Sequence, residues 1–166
     1  MKKKNQIYSD DFGVNLNRAL RFLSFRPRSE KEIRDYLSKK KVSELVAQEI
    51  ISKLKENKFL NDDDFAKWWV EQRTLIKPRA WRIIKIELKQ KGISKEIIEK
   101  LEQNTEFKLQ SNLEMAIKLA QKRLPRYKNL PKQEAYQKLG RFLASKGFDW
   151  ETIKISIDGV FSKEYN

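Results

Sequence analysis

The residues best suited to chemistry stand together in "NDDDFAKWWVEQRT", residues 61–74. Asp62, Asp63 and Asp64 are consecutive carboxylates that could hold a divalent cation, and Trp68 and Trp69 follow at once. A metal centre needs ligands converging from several elements. The chain offers no histidine and no cysteine to help. That removes thiolate zinc sites, a disulfide frame and the commonest general base. The alternative is structural: Asn61 or Asp62 caps a helix, and the following carboxylates meet the positive end of its macrodipole. We adopt the structural reading, with no catalytic residue, no cofactor and no metal. Ser29 with Lys31, or Tyr36 with Lys40, can be imagined as nucleophile and base, but cap and surface explain both pairs better.

The elements that carry these residues follow from the apolar spacing. Apolar positions recur every three or four residues almost throughout, and only five glycines and four prolines punctuate the 166 residues. The pattern predicts an all-α chain. Three stretches repeat: "DYLSKKKVSE" (35–44), "IELKQKGISK" (86–95) and "RFLASKGFDW" (141–150). Leu37, Leu88 and Leu143 are each followed five residues later by another apolar side chain, then by Ser43, Ser94 or Asp149 as a helix cap. Gly92 and Gly147 sit where a helix ends and φ turns positive; Lys41 takes that place in the first copy.

Upstream of each leucine lies a helix start: Ser29 with Glu32 as a capping box, then Pro78 and Pro131 in first turns. Before each start lies a further amphipathic segment. The expected unit is three helices and about fifty residues, written three times. The boundaries are a basic tail over 1–14 and repeats over 15–61, 62–106 and 107–166. Such units bury little alone, so nine helices are expected to stack into an elongated, curved array. Phe65, Trp69, Gln72 and Ile76 should form the buried stripe of the helix after the aspartates, with Trp68 packing between repeats or left partly exposed. Trp81, Ile84 and Leu88 form the stripe of the next helix.

Lys and Arg number 37 against 23 Asp and Glu, a net charge of +14. An excess of this size favours a polyanion or an acidic protein surface. The candidate binding residues lie on the middle helices and their exits: Arg28, Arg34 and Lys40; Arg79, Arg82, Lys85 and Lys89; Arg141 and Lys146. Arg82, Lys85 and Lys89 make a ridge at helical spacing. Arginine grips carboxylate or phosphate with two parallel bonds, which puts Arg34, Arg82 and Arg141 first. The opening residues show a positive cluster without the apolar run of a secretion signal, and no stretch reaches transmembrane length. The expectation is a soluble, cytoplasmic protein.

"RPRSEKEIRDYLSKK", "FLNDDDFAKWWVEQR", "IELKQKGIS" and "GRFLASKGFDWETI" resemble the successive signatures of the RecX family, in order, from about Ala19 to Ile157. "LIKPRAW" stands where members often carry glycine. The resemblance implies tandem three-helix repeats without an active site. It further implies a monomer that binds the RecA protein and the RecA–DNA filament, inhibiting its ATPase, recombinase and coprotease activities. DNA binding of its own would be weak and non-specific, and no membrane is involved. The rival reading is a helix-turn-helix DNA binder. Against it, the third helices look short and carry Glu where base edges call for Arg, Asn or Gln.

Overall fold

The computed structural model describes residues 11–103 and 112–164. Residues 1–10 of the expected basic tail lie outside them. Among the described residues all regular structure is helical, in three tandem three-helix repeats. The first holds α1 (Phe12–Ser24), α2 (Glu30–Lys39) and α3 (Glu44–Glu56). The second holds α4 (Asp62–Glu71), α5 (Trp81–Gln90) and α6 (Lys95–Gln103). The third holds α7 (Asn112–Arg123), α8 (Lys132–Ser145) and α9 (Trp150–Glu164). These residues gather into two compact units. One runs up to Trp68 and adds Lys89–Ile97; the other holds Trp69–Leu88 and the residues from Ile98 on.

The three anchors behave alike. Leu37, Leu88 and Leu143 are fully buried, as are Ile33, Ile84 and Leu139 one turn earlier. The turn after each anchor needs a left-handed residue, and Lys41, Gly92 and Gly147 have φ of 59°, 81° and 92°. Val42 and Phe148 then donate their amides back to the anchor carbonyls at 3.1 and 3.4 Å, which satisfies the helix ends.

Consecutive repeats are joined the same way twice, once inside each compact unit. The amide of Glu30, first residue of α2, donates to Asp62 Oδ1 at 2.8 Å. The amide of Trp81, first residue of α5, donates to Asn112 Oδ1 at 3.1 Å. Asp62 and Asn112 open the first helices of the following repeats, so each repeat caps the middle helix of the one before. Next to these caps, Ser29 Oγ donates to the Lys91 carbonyl at 2.7 Å, and the Ala80 amide donates to the Lys146 carbonyl at 3.0 Å.

The glycines complete the joint. A Cβ on Gly92 would lie 2.7 Å from Lys31 Cβ, and one on Gly147 would lie 2.2 Å from Ile83 Cγ1. Glycine is therefore required twice over, for its φ and for the approach of the preceding middle helix. Lys41 is exposed and meets only the first demand. The third repeat differs. Its α8 starts four residues further ahead of the anchor, and Ala135, the counterpart of Ser29 and Ala80, bonds its amide to the Pro131 carbonyl at 3.0 Å.

Several expectations are corrected. Pro78 is not in the first turn of α5: the helix opens at Trp81, behind Ala80, whose carbonyl accepts from Ile83 and Ile84. Pro131 sits at the cap of α8 rather than in its first turn. Only half of the Ser29–Glu32 box forms. Ser29 Oγ accepts from the Glu32 amide at 3.2 Å, but the Glu32 carboxylate turns to Arg26 and Lys91. Trp69 and Ile76 are not core. Phe65, Ala66 and Val70 are buried, Trp69 is half-buried and Ile76 is exposed. For Ile76 the reason is a π-helical turn at Gln72–Ile76, with the Lys77 amide bonded to the Gln72 carbonyl at 2.9 Å. That turn shifts the register of every later side chain. Finally, α9 has 15 residues and is not short.

Candidate functional site

The aspartates are dispersed by their structural tasks. Asp62 reaches back to cap α2, and Asn61 Oδ1 accepts from the Asp63 and Asp64 amides at 2.8 and 3.3 Å. Burial, foremost, pushes the Asp62 carboxyl above its usual range. Among the described residues no group of three or more Asp or Glu is gathered as metal ligands would be. Trp68 lies half-buried, 5.9 Å from the Phe65 ring and 5.7 Å from the Arg26 guanidinium.

The nine cations singled out from the sequence divide by their neighbours. Arg34 is tied down. It donates to Glu30 at 3.0 Å and to Gln48 at 2.8 Å, and it pairs with Glu44. The Glu30 bond, above all, lifts its pKa. Lys85 pairs with Glu102 at 2.8 Å, beside the Trp81 indole, which donates to the same oxygen at 3.0 Å. Arg28 stacks on Phe22 at 3.7 Å, and burial lowers its pKa. Lys40 is exposed, 5.7 Å from the Tyr36 ring. Lys89 and Arg141 are exposed. Arg82 is exposed too and reaches the Gly147 carbonyl at 3.3 Å.

Arg79 and Lys146 are brought together, in a setting the sequence reading missed. They line an open groove of about 490 Å³ with Arg73, Lys77, Lys122, Arg123 and Arg126. Ile76, Pro78, Leu119 and Phe142 supply its apolar wall, and no acidic residue lines it. The π-helical turn and the loop to α5 form one side; α7 with its 3₁₀ extension Leu124–Tyr127, and α8, form the other. Arg79 donates to the Ser145 carbonyl at 2.8 Å and Arg123 to the Tyr127 hydroxyl at 3.1 Å. Arg123 and Lys146 lie 4.9 and 5.4 Å from the Phe142 ring centre. Burial, with Arg79 and Arg123 close by, holds the Lys146 ammonium below its usual pKa. Arg73 is paired, with Glu87 at 2.6 Å, and lies 4.4 Å over Trp69. The readable signal was the exit of each first helix. "SFRPR" (24–28), "IKPR" (76–79) and "LPRYK" (124–128) all put proline beside basic residues.

A triplicated helical scaffold that displays cations on its exits is a helical repeat protein. Its sequence identifies which: residues 16–54, 61–101 and 110–155 match the first, second and third three-helix domains of RecX, and the chain belongs to the RecX family. It is 31% identical to the regulatory protein RecX of Leuconostoc mesenteroides over 94% of this chain and 58% of that protein. It is 34% identical to that of Bacillus subtilis over 92% and 57%. The chain thus spans a little under three-fifths of the length of these relatives. The crystal structure of RecX from Lactobacillus salivarius superposes with a TM-score of 0.69 at 28% identity, covering 90% of this chain and 96% of that one. A second crystal structure, of a regulatory protein RecX, gives 0.67 at 29%, covering 89% of this chain and 71% of that one.

Proposed function

We propose that this protein is a regulator of a RecA recombinase, binding the RecA–DNA filament and inhibiting its ATPase, recombinase and coprotease activities. The match of all three RecX domains, in order, carries this reading. The regulatory name of the relatives supports it. Non-catalytic action fits a surface of cations and caps, and among the described residues no helix is long and apolar enough to cross a membrane. Mechanistically, the exposed Arg82 and Arg141 meet phosphates or carboxylates of the filament. Contacts from more than one repeat favour filament over free subunit by effective concentration. The chain works as a cytoplasmic monomer, and its hold on bare DNA is weak beside its hold on the filament.

The test is RecA ATPase on single-stranded DNA with this protein added. Turnover should fall, and the Arg82→Glu/Arg141→Glu variant should restore it without a change in melting temperature. Selective, salt-tolerant duplex binding with RecA turnover untouched would instead establish the helix-turn-helix alternative.

A further inference from the structure

We infer that Lys146 is a site of covalent modification, acylated at Nζ by an acyl phosphate that the groove draws in. The inference is independent of RecA. Lys146 is half-buried and lines the open groove between the π-helical turn, α7 and α8. Arg79 and Arg123 line it too. Arg123 and Lys146 share the Phe142 ring, at 4.9 and 5.4 Å from its centre. Among the described residues none of these three cations pairs with a carboxylate, unlike Arg34 and Lys85 elsewhere.

The three groups differ in what they can give up. A guanidinium keeps its proton inside a protein, whereas an ammonium can lose one. Like charges held close repel, and the repulsion is relieved when the lysine sheds its proton. Burial, first, and the two arginines, second, hold the Lys146 ammonium below its usual pKa. The neutral amine carries the lone pair that attacks a carbonyl. Arg79 and Arg123 stay charged, and a cleft of one sign gathers anions.

These two properties select the donor. An acyl phosphate carries an electrophilic carbonyl on a dianionic leaving group. Lys146 Nζ attacks the carbonyl carbon; the N–C bond forms and the C–O bond to phosphate breaks. Phosphate departs with that electron pair and takes the proton that Nζ loses. The arginines stabilise the charge on the departing oxygen. Ile76, Leu119 and Phe142 give a short acyl chain an apolar wall. The product is a neutral amide, and the groove has lost one cation.

The test treats the full chain with acetyl phosphate and follows each lysine by peptide mass spectrometry. Lys146 should be acetylated at least about tenfold faster than the exposed Lys154, the lower end of what a one-signed cleft does to local anion concentration. Phenyl acetate, a neutral donor, should shrink that lead by at least about threefold, since the cleft does not gather it. Excess inorganic phosphate should slow Lys146 and leave Lys154 unchanged. Arg79→Gln/Arg123→Gln should slow Lys146 with both donors, because the amine then keeps its proton. Should that variant fail to fold, Lys122→Gln/Arg126→Gln removes two exposed cations of the same groove and should slow acetyl phosphate more than phenyl acetate. A Lys146 no faster than Lys154, an equal lead with both donors, or a lead that survives excess phosphate would each overturn the proposal.

Discussion

Asp62 accepts a hydrogen bond from the Glu30 amide at 2.8 Å, so a residue of the second repeat caps the middle helix of the first. Asp62→Ala should destabilise the protein by about 1–2 kcal/mol, the usual cost of a lost helix cap. Asp62→Asn should cost less than half of that, since Asn112 does the same work in the next joint as a neutral amide. Asp63→Asn and Asp64→Asn should cost less still. Urea unfolding of the four variants checks the order; equal effects at all three aspartates would remove the cap from the account.

Glu32 sets the acid limit of the first repeat. Burial alone would raise its pKa, but bonds from Arg26 and Lys91 outweigh burial and bring it down to about 2. A depressed carboxylate contributes stability in full above its unfolded value near 4.5. That contribution is lost as pH falls toward about 2. It is worth at most about 2–3 kcal/mol. Glu32→Gln should lower the melting temperature at pH 7 and flatten its dependence between those two pH values. A variant with the wild-type acid profile would assign the acid sensitivity elsewhere.

The two joint glycines should differ from Lys41. Gly147→Ala and Gly92→Ala each force a Cβ into a side chain of the preceding middle helix, at 2.2 and 2.7 Å, and should cost about 2 kcal/mol or more. Ile83→Ala should recover part of the Gly147→Ala loss, a coupling that melting of the double variant would reveal. Lys41→Gly should raise stability slightly, because only its φ of 59° is strained.

Arg34 should prove structural. It holds Glu30, Glu44 and Gln48 across α2 and α3. Arg34→Ala should lower stability by about 1 kcal/mol. It should change RecA ATPase inhibition far less than Arg141→Ala, whose side chain is exposed. A larger effect of Arg34→Ala on ATPase, at unchanged stability, would reverse the assignment.

The fold was readable because its signals are local. Anchor leucines, left-handed turns and caps at Ser94 and Asp149 depend on neighbours a few residues away. What escaped depends on geometry that spacing does not carry. The π-helical turn at Gln72–Ile76 adds a residue to one helical turn, so extrapolating a period of 3.6 put Ile76 in the core. Asp62 was expected to serve its own helix and serves α2. The groove escaped because its cations come from helix exits nearly fifty residues apart, brought side by side only by the fold. Of the cations that spacing did suggest, Arg34 and Lys85 are bound up in ion pairs.

The borrowed caps give synthesis a direction. While the chain emerges from the ribosome, α2 is complete in sequence at Lys39, yet its first amide waits for Asp62 and its cap residue for the Lys91 carbonyl. The second repeat waits in turn for Asn112 and Lys146. The caps of the first two middle helices are therefore complete only once the next repeat has been made. The third differs: its α8 begins an extra turn early and bonds Ala135 to Pro131 within itself.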